Sequence, residues 1–569
     1  MTIREVLSRS FSKFTALMAV ALVSSMAVPA VADRHVFVGL QREGVGGLDG
    51  LGGAEDVALS PDGLHAYVTS PPENEMAVFD RDPATGGLTF VAQVEGAPGL
   101  PLTSPGSLTV TGDGKHVYIS VDGVIVFARD SGTGLLAFVE LQDEGATPQL
   151  TGSVAVVVSN DDAHVYTTAV ESIVAFSRNS TTGALTFVEV EEDGVGGVDG
   201  LGGASELVVS PDDEHVYVVG GTDDAIAVFS RNTTTGELTF VEALFQGVGG
   251  VDGLSNVHDV AISPDGLYVY TAGTGVGNIG IFSRNTSTGE LTFVDAFTAP
   301  NGVASMITIS PDGDRLYVTS PGPGQLDILT RDSGSGLLTA EDSLQDDVGG
   351  VDGLGTPRGI AVSADSQFAY VAANESTIAA FRKMTVSCSA SALGGCFEPA
   401  LPGKAKLIVK DNATDKGDKL VFKWTKGEAV ALGDFGDPLA GGNDYALCLY
   451  TSAGGALLET ELLAPAGGGC KKPVDGGTQP CWKALSTKGF KYARKDRHPD
   501  GVTPVKLLAG AAEQAKVLAK AKGEFLPLPA LPLSLPVTVQ LQSAGGPCWT
   551  ATYSSAILND ATLVKLQAD

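Results

Sequence analysis

An all-β chain built as a seven-bladed β-propeller is predicted by three observations. A motif recurs seven times at a period near 50 residues, each copy holds four short apolar runs, and the strand missing from the last copy is present at the front of the array. The recurring core is Ser-Pro-Asp-Gly or a near relative, followed by an alternating run such as His-Val-Tyr-Val. It opens at Ser60, Thr111, Ser159, Ser210, Ser263, Ser310 and Ser363, in steps of 51, 48, 51, 53, 47 and 53 residues.

One copy shows the four strands. ELVVS is the innermost, HVYVVG the second, AIAVFSR the third and LTFVEAL the outermost. Each is rich in Val, Ile, Phe or Tyr and is bounded by Gly, Pro, Asp or Asn. Pro-Asp-Gly and Asn-x-Thr-Thr-Gly supply the turns, because they combine a fixed φ with a residue that tolerates positive φ. The seventh copy ends after its third strand, STIAAFRK. The segment HVFVGLQREGVGG (35–47) aligns with LTFVEALFQGVGG (238–250) and supplies the fourth strand. Closure of this kind removes an open sheet edge.

Bulk properties divide the chain into three parts. Residues 1–32 read as a secretory signal. Arg4, Arg9 and Lys13 form the charged start, 14–28 the apolar run, and Ala30-Val31-Ala32 a small-residue cleavage site. Residues 33–383 form the propeller, with net charge −36 and only two lysines, Lys115 and Lys383; residues 384–569 carry +3. So acidic a propeller is a poor partner for nucleic acid or an anionic membrane. No transmembrane segment is expected, and a monomer, secreted or periplasmic, is.

All six cysteines, Cys388, Cys396, Cys448, Cys470, Cys481 and Cys548, fall after residue 383. An even count in an exported chain predicts three disulfides. The expected pairs are 388–396, 470–481 and 448–548. Zinc is disfavoured, because the region has no C-x-x-C and His498 is its only histidine. KAKLIVKD, KLVFKWTKG and YALCLYTS read as strands of a disulfide-containing β-sandwich. Residues 507–523 fit either a helix or a strand, and FLPLPALPLSLPV should be extended. The Pro-Cys-Trp triplets at Trp482 and Trp549 suggest rings packed on bridges.

Candidate chemistry is what remains after subtracting what repeats. An arginine ends every third strand (Arg81, Arg129, Arg178, Arg231, Arg284, Arg331, Arg382), and His65, His116, His164 and His215 open second strands. These serve the blades. Asn179, Asn232 and Asn285 match the glycosylation pattern but occupy the repeated hairpin tip. By contrast, His258 and Arg358, at the start of innermost strands, have no counterparts in other blades. With Glu55, Asp56, Glu206 and Asp259 they are predicted to surround the channel mouth, His258 and Arg358 as catalytic candidates and the four carboxylates as ligand-binding ones. A plain Arg358–Glu55 ion pair between blades is the competing expectation. G-V-G-G-x-D-G-L, around Asp49, Asp199, Asp252 and Asp352, recurs in four loops. One Asp per loop offers few ligands for Ca²⁺, so a turn braced by its own Asp is expected, with no cofactor.

The repeats over 35–383 resemble the lactonase-type seven-bladed propellers, which include 6-phosphogluconolactonases and carboxymuconate cyclases, and the YVTN-type repeats of exported proteins. The resemblance implies a catalytic His five residues before one Ser-Pro-Asp-Gly, matched by His258 in NVHDVAISPDG. It implies an Arg in a Pro-Arg segment of the last blade, matched by Arg358 in TPRGIAVSADS. It also implies a Glu and an Arg in the intervening blade, where ASMITISPDGDRLYVTSP has Met306 and Pro321 instead. The sequence alone therefore favours an exported, non-catalytic module that binds a protein, glycan or small-molecule ligand. Lactone hydrolysis is the alternative.

Overall fold

The computed structural model describes residues 34–569 apart from 98–99, 144, 146–149, 151, 276, 349–350, 440–442, 452–456, 467–480, 495–500 and 524–525. The expected signal segment, Cys470 and His498 lie outside the described residues.

Seven four-stranded antiparallel sheets form the propeller. Blades 1 to 6 each take four consecutive strands; blade 4, for example, runs Ala204–Val209, His215–Gly220, Ala225–Arg231 and Leu238–Phe245 from the inside out. Blade 7 takes Pro357–Val362, Phe368–Ala373 and Thr377–Lys383, and is completed by His35–Arg42, which pairs antiparallel with Thr377–Lys383. The closing strand is thus where the repeat alignment put it. The second strands are buried along their length because blades cover both faces, and each blade interface is a small apolar cluster such as Tyr217, Val219, Ile226, Val228, Val260 and Phe282.

The repeated polar residues form a clasp between neighbouring blades. In six junctions the arginine ending a third strand donates from Nε to the buried tyrosine hydroxyl of the preceding blade, at 2.6–3.1 Å: Arg129 to Tyr67, Arg178 to Tyr118, Arg231 to Tyr166, Arg284 to Tyr217, Arg331 to Tyr270 and Arg81 to Tyr370. The same tyrosine donates to the carbonyl of the glycine at the next hairpin tip, as Tyr166 does to Gly236 at 2.9 Å. Four of these arginines also meet Nδ1 of His65, His116, His164 or His215 at 2.7–2.8 Å. The tip must be glycine: Gly236 has φ +82, and a Cβ there would stand 2.2 Å from the His164 ring. Asn232 folds the tip by accepting from Thr234 and Thr235 N–H, so the Asn-x-Thr pattern is a turn.

The seventh junction differs. No hairpin tip follows Thr377–Lys383, and the Tyr317 hydroxyl instead meets His35 Nε2 at 2.9 Å. Arg382 turns away to Asp444, a fully buried residue of the C-terminal region that also accepts from Ala466 N–H and Thr385 N–H. Val36, Met384, Cys448, Tyr450 and Leu463 share one apolar cluster across this joint.

Beyond it lies the sandwich. An eight-stranded sheet and a four-stranded sheet enclose a single core that includes Trp424, Trp482, Trp549, Phe422 and Tyr445. The segment open to either reading resolves into strands Val502–Leu508 and Lys516–Lys522, whose alternation puts Val517, Ala519 and Ala521 inside. The stretch ending in FLPLPALPLSLPV has no strand before Val537–Ser543, because each proline lacks an N–H for a ladder.

Two disulfide expectations fail. The bonds are Cys388–Cys448 and Cys396–Cys548, with Cα separations of 5.6 and 4.7 Å. Nearness in sequence misled: the segment from Cys388 to Phe397 crosses the four-stranded sheet with bends at 390–391 and 394–395. Cys388 N–H bonds to Glu461, Leu393 N–H to Gln540, and Phe397 N–H to the Cys548 carbonyl. Its two cysteines therefore reach different strands. Cys481 is also disulfide-bonded. The Trp549 ring packs in the core, stacked on Phe397 at 5.9 Å.

Candidate functional site

The innermost strands start at the same level around the axis, so their first residues share one opening. A cavity of about 1020 Å³ is lined there by residues from all seven blades, among them Glu55, Asp56, Glu206, His258, Asp259 and Met306. Five of the six candidate residues therefore meet. Arg358 stands outside the wall, its Nε 3.8 Å from Glu55 Oε2, which is the expected inter-blade ion pair. That Nε–H is buried without an acceptor among the described residues.

His258 is exposed to the cavity. Burial of its ring within the opening and the Arg358 charge hold its pKa below the ordinary value, so it is neutral near pH 7. The carboxylates behave in the opposite sense. Burial pushes Asp56 up to about 6 and Asp259 up to about 7. Glu206 is raised well above its usual range by burial and by the charges of Asp259 and Asp56. Glu55 is raised by burial, with Arg358 pulling the other way.

Two of these acids also hold the ring together, which sequence reading missed. Asp56 accepts from Val57 N–H at 2.8 Å and from Leu108 N–H of blade 2 at 3.0 Å. Asp259 accepts from Val260 N–H at 2.7 Å and from Ile307 N–H of blade 6 at 2.6 Å. A carboxylate four residues before the repeat Ser thus accepts from its own strand's backbone and from the neighbour's. Glu206 has only the weaker contact to Leu207 N–H, at 3.3 Å.

The glycine-rich loops are braced mainly from outside the motif, although in blade 5 the loop's own Asp252 accepts from Gly253 N–H at 2.8 Å as expected. The bracing group lies before the loop: Glu43, Asp193, Gln246 and Asp346 accept from the N–H of Leu51, Leu201, Leu254 and Leu354. Carboxylate oxygens gather within 4.8 Å of one another in Glu43–Asp49–Glu73, Asp193–Asp199–Asp223 and Asp346–Asp352–Glu375. In blade 5, Gln246 and Asn278 donate to Asp252 instead. Three side-chain oxygens are few for Ca²⁺, which takes six to eight.

A family model for "Lactonase, 7-bladed beta-propeller" matches residues 47–196, 145–303 and 202–348, which together span more than half the chain. The chain belongs to this family. Among curated lactonase-type relatives, an Arthroderma benhamiae protein named "Probable 6-phosphogluconolactonase" is 29% identical over 97 residues, 16% of this chain and 23% of that protein. The match thus spans under a quarter of the relative's length. Similar solved structures include the Pseudomonas aeruginosa periplasmic gluconolactonase, 18% identical, covering 51% of this chain and 85% of that one, with TM-score 0.43. Another is a Bacteroides uniformis protein with a provisional 6-phosphogluconolactonase assignment, 21% identical with the same coverages and TM-score.

Proposed function

We propose that this lactonase-family propeller hydrolyses a lactone at its axial opening, and that the substrate carries no phosphate. The observation that carries the reading is a neutral His258 in a cavity built by all seven blades, within reach of the Arg358 charge. His258 takes a proton from water as the water oxygen bonds to the lactone carbonyl carbon. Arg358, outside the cavity lining but close enough for its charge to act on His258, offsets through its field the charge that develops on the carbonyl oxygen. Collapse breaks the ring C–O bond, and the imidazolium returns its proton to the departing alkoxide. The product is a hydroxy-carboxylate, which the acids lining the opening repel. The same acids disfavour a phosphorylated sugar lactone, and the one cation nearby is already paired with Glu55.

The non-catalytic binding module remains the second reading, favoured by Met306 in the cavity wall where the family resemblance implies a Glu. Disulfides fit an oxidising compartment, secreted or periplasmic. Among the described residues no helix is long and apolar enough to cross a membrane. The deciding experiment is hydrolysis of uncharged and phosphorylated lactones by wild type and His258→Ala. The hydrolase reading expects turnover of the uncharged set and a loss of about 10²-fold or more in the variant. Equal rates at the uncatalysed level would leave the binding module.

A further inference from the structure

The outer face of the eight-stranded sheet is a lysine array. Cross-strand partners share a face, so the registers show who stands beside whom. Across seven strands one row reads Gln567, Lys406, Lys423, Leu518, Lys506, Lys491, Lys483. A second reads Lys565, Ile408, Val421, Lys520, and a third Leu563, Lys410, Lys419, Lys522. Adding Lys516, the face holds 11 of the 20 basic residues after position 383, and nine of the 11 are exposed.

None of the eight strands contains an Asp or Glu, although the chain has 67. A face that only needed solubility would mix both signs. Here lysines stand directly opposite lysines, as Lys406 does to Lys423 and Lys410 to Lys419, an arrangement that costs stability. Edge protection does not explain it either, since Ala405–Lys410, Lys419–Thr425 and Lys516–Lys522 are interior strands. Among the described residues none of these 11 lysines has an ion-pair partner; the one lysine bridge in the sandwich is Lys426–Glu513, off the face.

We infer that this face binds a linear anionic polysaccharide. The longest row crosses seven paired strands and spans roughly 30 Å at their spacing, which suits an extended polyanion. The face has no aromatic side chain on which bases could stack and no arginine fork for phosphates, so nucleic acid fits poorly. Its interior aliphatic residues Ile408, Val421 and Leu518 are half-buried or buried between lysines, and the exposed ones, Ile557 and Leu558, are confined to the edge strand, which is less apolar surface than a helix offers a bilayer. Carboxylates of the propeller more than about 8 Å from this face are screened from it at physiological salt.

The test uses the full chain and measures binding to polygalacturonate, neutral dextran, phosphatidylglycerol vesicles and duplex DNA, at low and high salt. Salt-sensitive binding to polygalacturonate and not to dextran is expected. It should weaken by about tenfold or more in Lys406→Glu/Lys423→Glu and in Lys406→Gln/Lys423→Gln. Lys416→Glu/Lys488→Glu, which makes the same net-charge change away from the strands, should bind like wild type. Unchanged melting curves show that each variant is folded. The proposal is overturned by no retention on polygalacturonate, by equal loss in the off-face control, or by tighter binding to vesicles or DNA. Salt-sensitive self-association through the same lysines, without polymer, would equally overturn it.

Discussion

Six junctions of the propeller join blade to blade, and the seventh joins the ring to the sandwich. In the six, Arg, Tyr and a hairpin-tip Gly recur with nearly constant geometry; in five of them the arginine also meets an Asp that is about a quarter to a third exposed, as in Arg331–Asp265 at 2.7 Å, while Arg81 Nη2 has no acceptor among the described residues. At the seventh the arginine is kept while its partners are exchanged, and Arg382 pairs with an Asp444 that water does not reach. A repeat thus supplies the same residue everywhere, but what comes next along the chain decides its use.

The largest expected effect separates the two kinds of junction. Asp444→Ala leaves a buried guanidinium uncompensated and should cost about 3–5 kcal/mol in denaturant unfolding. Asp265→Ala, which breaks a partly exposed pair, should cost about 1 kcal/mol. If the two are equal, the seventh junction is not special.

The second effect tests the six. Gly236→Ala places a methyl against the His164 ring in a left-handed conformation, and a loss of about 2–4 kcal/mol is expected. Gly196→Ala, also at positive φ but in open space, should cost about 1 kcal/mol. Similar melting points for both would mean that the tip does not seat on its neighbour.

The smallest concerns the axis, where all blades converge. Glu206 has a pKa raised above its unfolded value, so its contribution to stability is intact below about pH 4 and is lost as pH rises through its folded pKa. Glu206→Gln should therefore melt like wild type at pH 5 and a few degrees higher at pH 8. A shift of the same size at both pH values would show that charge is not the cause.

The ring was legible because its signal repeats. Seven copies averaged out local noise, and subtracting them exposed His258 and Arg358 as singular. What stayed hidden was pairwise and long-range. An acid four residues before the repeat Ser bonds to the next blade's backbone, about 50 residues on, as Asp56 does to Leu108, and nothing local announces it. Disulfide pairing failed for the same reason: Cys396 meets Cys548 across 152 residues. The lysine face was written openly as K-x-K and K-x-x-x-K spacings, but seeing one surface required the register of eight strands.

The clasps have a further consequence for how the protein resists proteolysis. Proteases that cut after basic residues need an accessible Lys or Arg in a segment that can open. Arg81, Arg129, Arg178, Arg231, Arg284, Arg331 and Arg382 are all buried, and the propeller has only two lysines. A disc that buries these seven arginines at its seams leaves trypsin-like enzymes few footholds, among them Lys115 and Arg42, while 11 lysines of the sandwich stand within hydrogen-bonded strands.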